Sequence, residues 1–226
     1  MLKIKAVDLQ YQELEIFKNL SFDVQNNEIV AIIGPSGCGK TSLLNMIGKL
    51  LEPTNGSIEV DGEKIAFIFQ DDRLLPWKSV WDNIAIVGKE EKVNTIRNLI
   101  KEVGLEGFEN YKPSQLSGGM KKRCGIARAF YYDSELLLMD EPFQGLDYTL
   151  RREMLQMLME VWKKHQQPVV FVTHEIDEAL QVAHRILVLS NRPSYIVEEF
   201  TLPLHNERNL KDLEILKIRQ KILELI

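Results

Sequence analysis

Cysteine is scarce in this chain of 226 residues: Cys38 and Cys124 make no disulfide framework and have no metal-ligand spacing. Long apolar runs are missing too, since charge interrupts each one well before the roughly 18 residues a membrane span needs. The start, Met1-Leu-Lys-Ile-Lys-Ala-Val-Asp, has no apolar block of the kind that forms a secretory signal. The expectation is therefore a soluble, cytosolic protein. Positive charge is in the minority, with 28 Lys and Arg against 33 Asp and Glu for a net charge of −5. A basic face would have to be assembled against that overall field, so nucleic acid is not expected as a partner. Internal repeats, linkers and low-complexity tracts are also absent. What remains is an ordinary globular composition, 45% apolar, long enough for one large domain or one domain with an inserted lobe.

Against this background two segments carry chemistry. Gly34-Pro-Ser-Gly-Cys-Gly-Lys-Thr41 fits the phosphate-loop pattern G-x-x-x-x-G-K-[ST] without a mismatch. It follows the apolar run Glu28–Ile33 and precedes the helix-like stretch Thr41–Ile47, the strand, loop and helix context such a site needs. Glycine permits the turns that point successive amides inward, so the N–H groups of Gly37, Gly39 and Lys40 are expected around the β-phosphate. The helix that begins there adds the positive end of its dipole. Lys40 is expected to bridge the β- and γ-phosphates, and Thr41 to place its hydroxyl on Mg²⁺. Cys38, at a helix start that favours thiolate, reads as a candidate for alkylation or simply as a small residue that fits. The second segment, Leu136-Leu-Leu-Met-Asp-Glu-Pro142, reads as a buried strand ending in two carboxylates, where open α/β sheets bind ligands. Asp140 is expected to hold Mg²⁺, directly or from one layer further out, and Glu141 to orient and deprotonate the attacking water.

Periodicity supplies the frame. Strands are expected over Leu2–Leu9, Phe22–Val24, Glu28–Ile33, Ser57–Val60, Ile65–Gln70, Leu136–Met139, Val169–Val172 and Arg185–Leu189, with tight turns at Asn55-Gly56 and Asp61-Gly62. Helices are expected over Tyr148–His165 and Glu175–Ala183. From Ser79 to Tyr132 the pattern is helical throughout, with Trp81, Ile84 and Val87 on one face and then Val93, Ile96, Leu99, Ile100 and Val103. The tail from Glu207 to Ile226 reads as an amphipathic helix with Leu210, Leu213, Leu216 and Ile222 inward. Strands alternating with helices imply a parallel sheet, so the fold class is α/β: a parallel-sheet core, an antiparallel β layer and an inserted helical lobe. The chain is expected to be a single domain, 1–226, with the core at about 1–78 and 133–226 and the lobe at about 79–132.

Between lobe and core stands Gln115-Leu-Ser-Gly-Gly-Met-Lys-Lys-Arg-Cys-Gly-Ile-Ala-Arg-Ala129. Together with the phosphate loop, Gln70, Asp140-Glu141, Gly145-Leu-Asp147 and His174, in this order and spacing, it resembles the ATP-binding cassette of ABC transporters, a branch of the P-loop NTPases. The resemblance runs from about Tyr11 to about Ser190. It implies an ATPase that takes ATP and Mg²⁺ and binds nucleotide through Tyr11, which stacks on adenine, and through Gly34, Pro35, Ser36, Gly37, Cys38, Gly39, Lys40, Thr41 and Ser42. It also implies a head-to-tail homodimer, in which Ser117, Gly118 and Gly119 of one copy close on the ATP of the other. Gln70 matches the residue that reaches Mg²⁺ and the water, and His174 the switch histidine at the γ-phosphate. Catalysis would then rest on Glu141, His174 and Gln70, and metal binding on Thr41, Gln70 and Asp140.

Two positions depart from the family pattern. Met120 stands where Gln is usual, removing an amide that would hydrogen-bond across the dimer, and Gly145 stands where Ser or Ala is usual. An active but slower ATPase is the expectation. The stretch from Gln70 to Asn83, with Ser190-Asn-Arg-Pro193, looks like the subfamily serving nitrate, sulfonate, taurine and thiamine-precursor importers. The implied partners are transmembrane permease subunits and, through them, a solute-binding protein, with the chain lying peripherally on the cytoplasmic face of the membrane. Leu74, Leu75 and Trp77 read equally as core of the lobe or as a docking surface for the permease.

Overall fold

The computed structural model describes residues 1–89, 92–202 and 208–226. In chain order the strands and helices are β1 (Leu2–Tyr11), β2 (Leu14–Val24), β3 (Ile29–Ile33), α1 (Lys40–Ile47), β4 (Asn55–Val60), β5 (Ile65–Ile68), α2 (Val80–Ala85), α3 (Val93–Glu102), α4 (Gly118–Tyr131), β6 (Leu136–Asp140), α5 (Tyr148–His165), β7 (Val169–Val172), α6 (Ile176–Val182), β8 (Arg185–Leu189), β9 (Ile196–Thr201) and α7 (Leu213–Leu225). A 3₁₀ turn over Pro113–Gln115 leads into α4. No helix among the described residues is long and apolar enough to cross a membrane.

Two sheets form. The antiparallel one has the order β2-β1-β4, and the six-stranded one has the order β5-β6-β7-β3-β8-β9. In the larger sheet the first five strands are parallel, and β9 runs antiparallel to β8. Every residue of β3, β6 and β7 is buried, because alternate side chains enter two different cores. Ala31, Ile33, Leu137, Met139 and Phe171 join the core shared with α2 to α7, while Val30, Ile32, Leu138, Val170 and Val172 join the one shared with α1 and the antiparallel sheet. Covering both faces explains the uninterrupted apolar runs. Parallel pairing also brings the carboxyl ends of β3, β5, β6 and β7 to one edge of the sheet, and with them the phosphate loop, Gln70, Asp140-Glu141 and His174.

Residues from Ser79 to Tyr132 contain no strand among those described. Local chemistry sets the helix starts. Ser79 and Asp82 form a capping box on α2, the Ser117 hydroxyl accepts from the Met120 amide at 3.3 Å on α4, and Asp147 accepts from the Leu150 amide at 3.0 Å on α5. The helix α4 packs against α2, α3, α5 and β5, so it joins the helical segment to the core.

Several expectations need correction. Asn55-Gly56 is no turn but the start of β4, where Gly56 has φ +84° at a register shift; a Cβ there would lie 2.3 Å from the Ala6 carbonyl oxygen. The strand at Phe22–Val24 is the end of a much longer β2, and β5 stops at Ile68 rather than at Gln70. Val80 and Asn83 join Ile84 as the buried residues of α2, while Trp81 and Val87, the latter beyond the helix end, pack half-buried against the same core as Ile84. Val93, expected inward on α3, is exposed. The buried positions of α7 are Ile215 and Ile222, with Ile218 and Leu225 partly buried beside them, whereas Leu213 is 77% exposed and Leu216 is exposed as well. Glu207, where the tail helix was expected to begin, lies outside the described residues. Strand β9 escaped the sequence pattern because its inward-leaning positions are Ile196, Glu198 and Phe200, so a charge interrupts the apolar alternation.

Candidate nucleotide site

The loop from Gly34 to Gly39 leaves the buried end of β3 and turns into α1 through two residues of positive φ, Gly37 at +80° and Gly39 at +115°. A Cβ on Gly39 would stand 2.6 Å from Ile16 Cγ2 and 2.7 Å from Phe17 Cζ, so β2 packs directly on the loop. Gly39 also forms the N-cap of α1, and no side chain caps this helix. The first amides of α1 are therefore left for an outside acceptor, the arrangement that binds phosphate. Lys40 is buried; its ammonium donates to the carbonyl oxygens of Gly34 at 2.8 Å and Pro35 at 3.0 Å.

Thr41 and Asp140 are 99 residues apart in the chain, yet the Thr41 hydroxyl donates to Asp140 Oδ1 at 3.3 Å. Burial pushes the Asp140 carboxyl up, and the hydrogen bond from Thr41 offsets part of that shift. Glu141 follows with φ +44°, a left-handed backbone that is costly for a non-glycine residue and more so before Pro142. Its amide donates to the Val172 carbonyl at 2.9 Å, tying the turn to β7. Glu141 Oε2 then lies 3.1 Å from His174 Nδ1, and His174 Nε2 lies 3.8 Å from Glu175 Oε1. The strained turn thus aims the Glu141 carboxylate at His174 across the ends of two neighbouring strands.

Other expected site residues are placed less directly. The Gln70 side-chain amide donates to Gln144 Oε1 in the loop after Glu141, not to Thr41 or Asp140. Gln144 was not anticipated; nothing but its position after Asp140-Glu141 marks it in the sequence. Tyr11 pairs with Leu14 at the tip of the β1–β2 hairpin and is 47% exposed. Ser42 lies in the first turn of α1, while Pro35 and Ser36 lie in the loop itself. The hydrogen bonds of Ser117 stay within its own helix, and Gly118 faces open space. Gly119 is buried, with Leu150 2.9 Å from where its Cβ would be. Hence Ser117, Gly118 and Gly119 are not brought onto the phosphate loop of the same chain.

The reactive reading of Cys38 does not hold. Its side chain is buried in the core beside α1, and burial pushes the thiol up despite the opposing influence of Lys40. Cys124 is buried too, its thiol pushed up to about 12. Gly145 has φ +79° and no atom within 4 Å of a Cβ position, so its departure from the family pattern suits a left-handed turn rather than a close contact.

A cleft between β5 and α4 is lined by Phe67, Phe69, Asp72, Lys122 and Arg128. Arg128 donates to the carbonyls of Arg73 at 3.0 Å and Asp72 at 3.3 Å, and Lys122 lies 3.5 Å from the Gln70 carbonyl and 4.0 Å from the Asp72 carboxylate. Further along the chain Trp77 is 67% exposed, which removes it from the core, whereas Leu74 packs partly against that core.

A family model described as "ABC transporter" matches residues 17–144. The aliphatic sulfonates import ATP-binding protein SsuB of Bacillus cereus is 38% identical over 97% of this chain and 92% of its own length. The taurine import ATP-binding protein TauB of Yersinia pestis is 37% identical over 89% of this chain and 84% of its own. Among solved structures, the dimeric bacterial ABC transporter cassette MJ0796 superimposes with a TM-score of 0.79 at 30% identity, covering 91% of this chain and 100% of that one; a second dimeric structure of MJ0796 holds ADP and Pi in a post-hydrolysis state.

Proposed function

Since the chain belongs to the ABC transporter family as an ATP-binding subunit with ATPase activity, we propose that it energises an importer of small anionic solutes of the sulfonate and taurine type. The observation that carries this reading is the junction of Thr41 with Asp140 at 3.3 Å, one residue before a carboxylate held 3.1 Å from His174. In the proposed division of labour the amides from Gly37 to Thr41 and the Lys40 ammonium hold the phosphates, with Tyr11 stacked on the adenine. For this the Lys40 ammonium exchanges the carbonyls of Gly34 and Pro35 for phosphate oxygens. Glu141 orients the attacking water and takes its proton, and His174 holds the Glu141 carboxylate in place and faces the γ-phosphate.

The donor set suits Mg²⁺: the Thr41 hydroxyl and the Asp140 carboxylate are hard oxygen ligands, and Mg²⁺ characteristically combines one or two such groups with water and substrate phosphate. When bound with the nucleotide, the ion supplies neutralisation of the phosphate charge. Gln70 reaches this centre from its place beside Gln144 and ties it to the helical lobe at about 79–132. Because Ser117, Gly118 and Gly119 are not brought onto their own loop, a second copy of the chain completes each site in a head-to-tail dimer. Permease subunits dock around the exposed Trp77 on the cytoplasmic face of the membrane and connect the cassette to a solute-binding protein outside.

ATPase activity measured against protein concentration tests the composite site. Specific activity should rise steeply with concentration as dimers form; activity strictly proportional to protein, down to the lowest concentration assayed, would refute it. For docking, Trp77→Ala should leave the ATPase of the isolated subunit within about twofold, because an exposed side chain adds little to stability. Transport by the reconstituted complex should fall at the same time. Loss of folding in this variant, or unchanged transport, would contradict the docking role.

A further inference from the structure

The turn Ser190-Asn-Arg-Pro193 between β8 and β9 is fastened to the phosphate loop. Ser194, fully buried, donates its hydroxyl to the Cys38 carbonyl at 2.6 Å and its amide to the Ile16 carbonyl at 2.7 Å. Ser190 closes the turn from the other side: its hydroxyl donates to the Asn191 carbonyl at 2.7 Å and accepts from the Tyr195 amide at 3.1 Å, and its amide donates to the Tyr195 carbonyl at 3.0 Å. A turn pinned at both ends holds its middle residue in place. That residue is Arg192, and its Nη2 lies 3.7 Å from the point where a Cβ on Gly37 would stand. The guanidinium thus occupies the side of the loop that glycine leaves bare.

Arg192 is exposed, and its guanidinium has neither a hydrogen bond nor an ion pair among the described residues. It is close enough to the loop for its charge to act on Cys38. Lys40 sits against the first residues of the loop, at Gly34 and Pro35. Two cations therefore border the loop whose amides await an anion. A guanidinium is always charged and offers a planar fork of donors that matches phosphate oxygens in pairs. An arginine serving only as a soluble surface group does not require a turn anchored to the loop through a buried serine.

We propose that Arg192 is a second cationic contact for the phosphate chain of the nucleotide, supplied within the same chain by the β8–β9 turn. This rests on the reading of the loop as an ATP site, and the test separates the two. ATP and ADP binding are titrated calorimetrically at low salt on the parent, on Arg192→Ala and on Arg192→Lys, with thermal unfolding of each in the absence of nucleotide. The Kd for ATP should rise about tenfold in Arg192→Ala, the scale of one lost charge-assisted hydrogen bond, and Arg192→Lys should recover part of it. ADP should weaken in the same direction, while the unfolding midpoint without nucleotide stays at the parent value because the side chain has no partner to lose. An unchanged Kd in Arg192→Ala would overturn the proposal and leave the ATP site standing. A weaker Kd matched by a lower midpoint, and not rescued by lysine, would overturn it as well, by showing that the side chain only props up the loop. A parent protein that bound neither nucleotide would instead strike at the ATP site itself.

Discussion

Replacing Glu141 by Gln is expected to cut ATP turnover roughly a thousandfold, within the range that a positioned general base contributes. Nucleotide binding should persist, because among the described residues Glu141 has no hydrogen bond to the phosphate loop and its amide still anchors the turn to Val172. The substitution is nearly isosteric, and the new side-chain carbonyl can accept from His174 Nδ1 across the same 3.1 Å. What disappears is the basicity. Unable to hydrolyse, the variant should accumulate as an ATP-bound dimer, visible as a doubling of mass by light scattering when ATP is added. Turnover within about threefold of the parent would remove Glu141 from the role of base, since a charge that merely positioned water would leave effects far below those of a proton acceptor.

The second large effect concerns stability as well as binding. Gly39→Ala places a methyl group 2.6 Å from Ile16 Cγ2 and 2.7 Å from Phe17 Cζ, both in the packed core beneath the loop, and does so at φ +115°. Backbone strain and overpacking each cost about 1–3 kcal/mol, so a loss of roughly 3 kcal/mol is expected, together with loss of measurable ATP binding as the loop is pushed off β2. Gly118→Ala is the control: φ there is not positive and no atom lies within 4 Å of the new methyl group, so stability should be unchanged. Urea unfolding of the two variants beside the parent decides the matter. Equal midpoints for Gly39→Ala and the parent would mean that the loop yields without cost.

Much of the site was legible because its signals are local. The phosphate loop depends on glycines at fixed offsets and on a flanking strand and helix, all contained within about 20 residues. Asp140 and Glu141 were readable as carboxylates at the end of a buried strand, and parallel pairing then carried them to the loop. Other features depend on what the fold brings from far away. Cys38 invited a thiolate reading from its place before α1; burial, which the local sequence does not report, reverses the direction of the shift. The inward face of α7 was misplaced because leucines and isoleucines occur all around that helix, and only packing on α6 selects Ile215 and Ile222. Arg192 was marked in the sequence only as part of Ser190-Asn-Arg-Pro193, with nothing there to tie it to the phosphate loop. Its position depends on a hydrogen bond from Ser194 to a carbonyl 156 residues earlier in the chain.

The helix α4 has a consequence for how force travels. Its first turn carries Ser117 at the N-cap and Gly118 in open space, and further along, Lys122 and Arg128 grip the segment from Gln70 to Arg73 that leads to Trp77. Fourteen residues of helix make a rod of about 21 Å. Arg128 holds carbonyls through a planar, always-charged group, a grip with little slack. Trp77 lies four residues beyond Arg73 in a stretch without helix or strand, so the helix anchors one end of that stretch and carries the glycines at 118 and 119 at its own start, which makes one rigid body of the two.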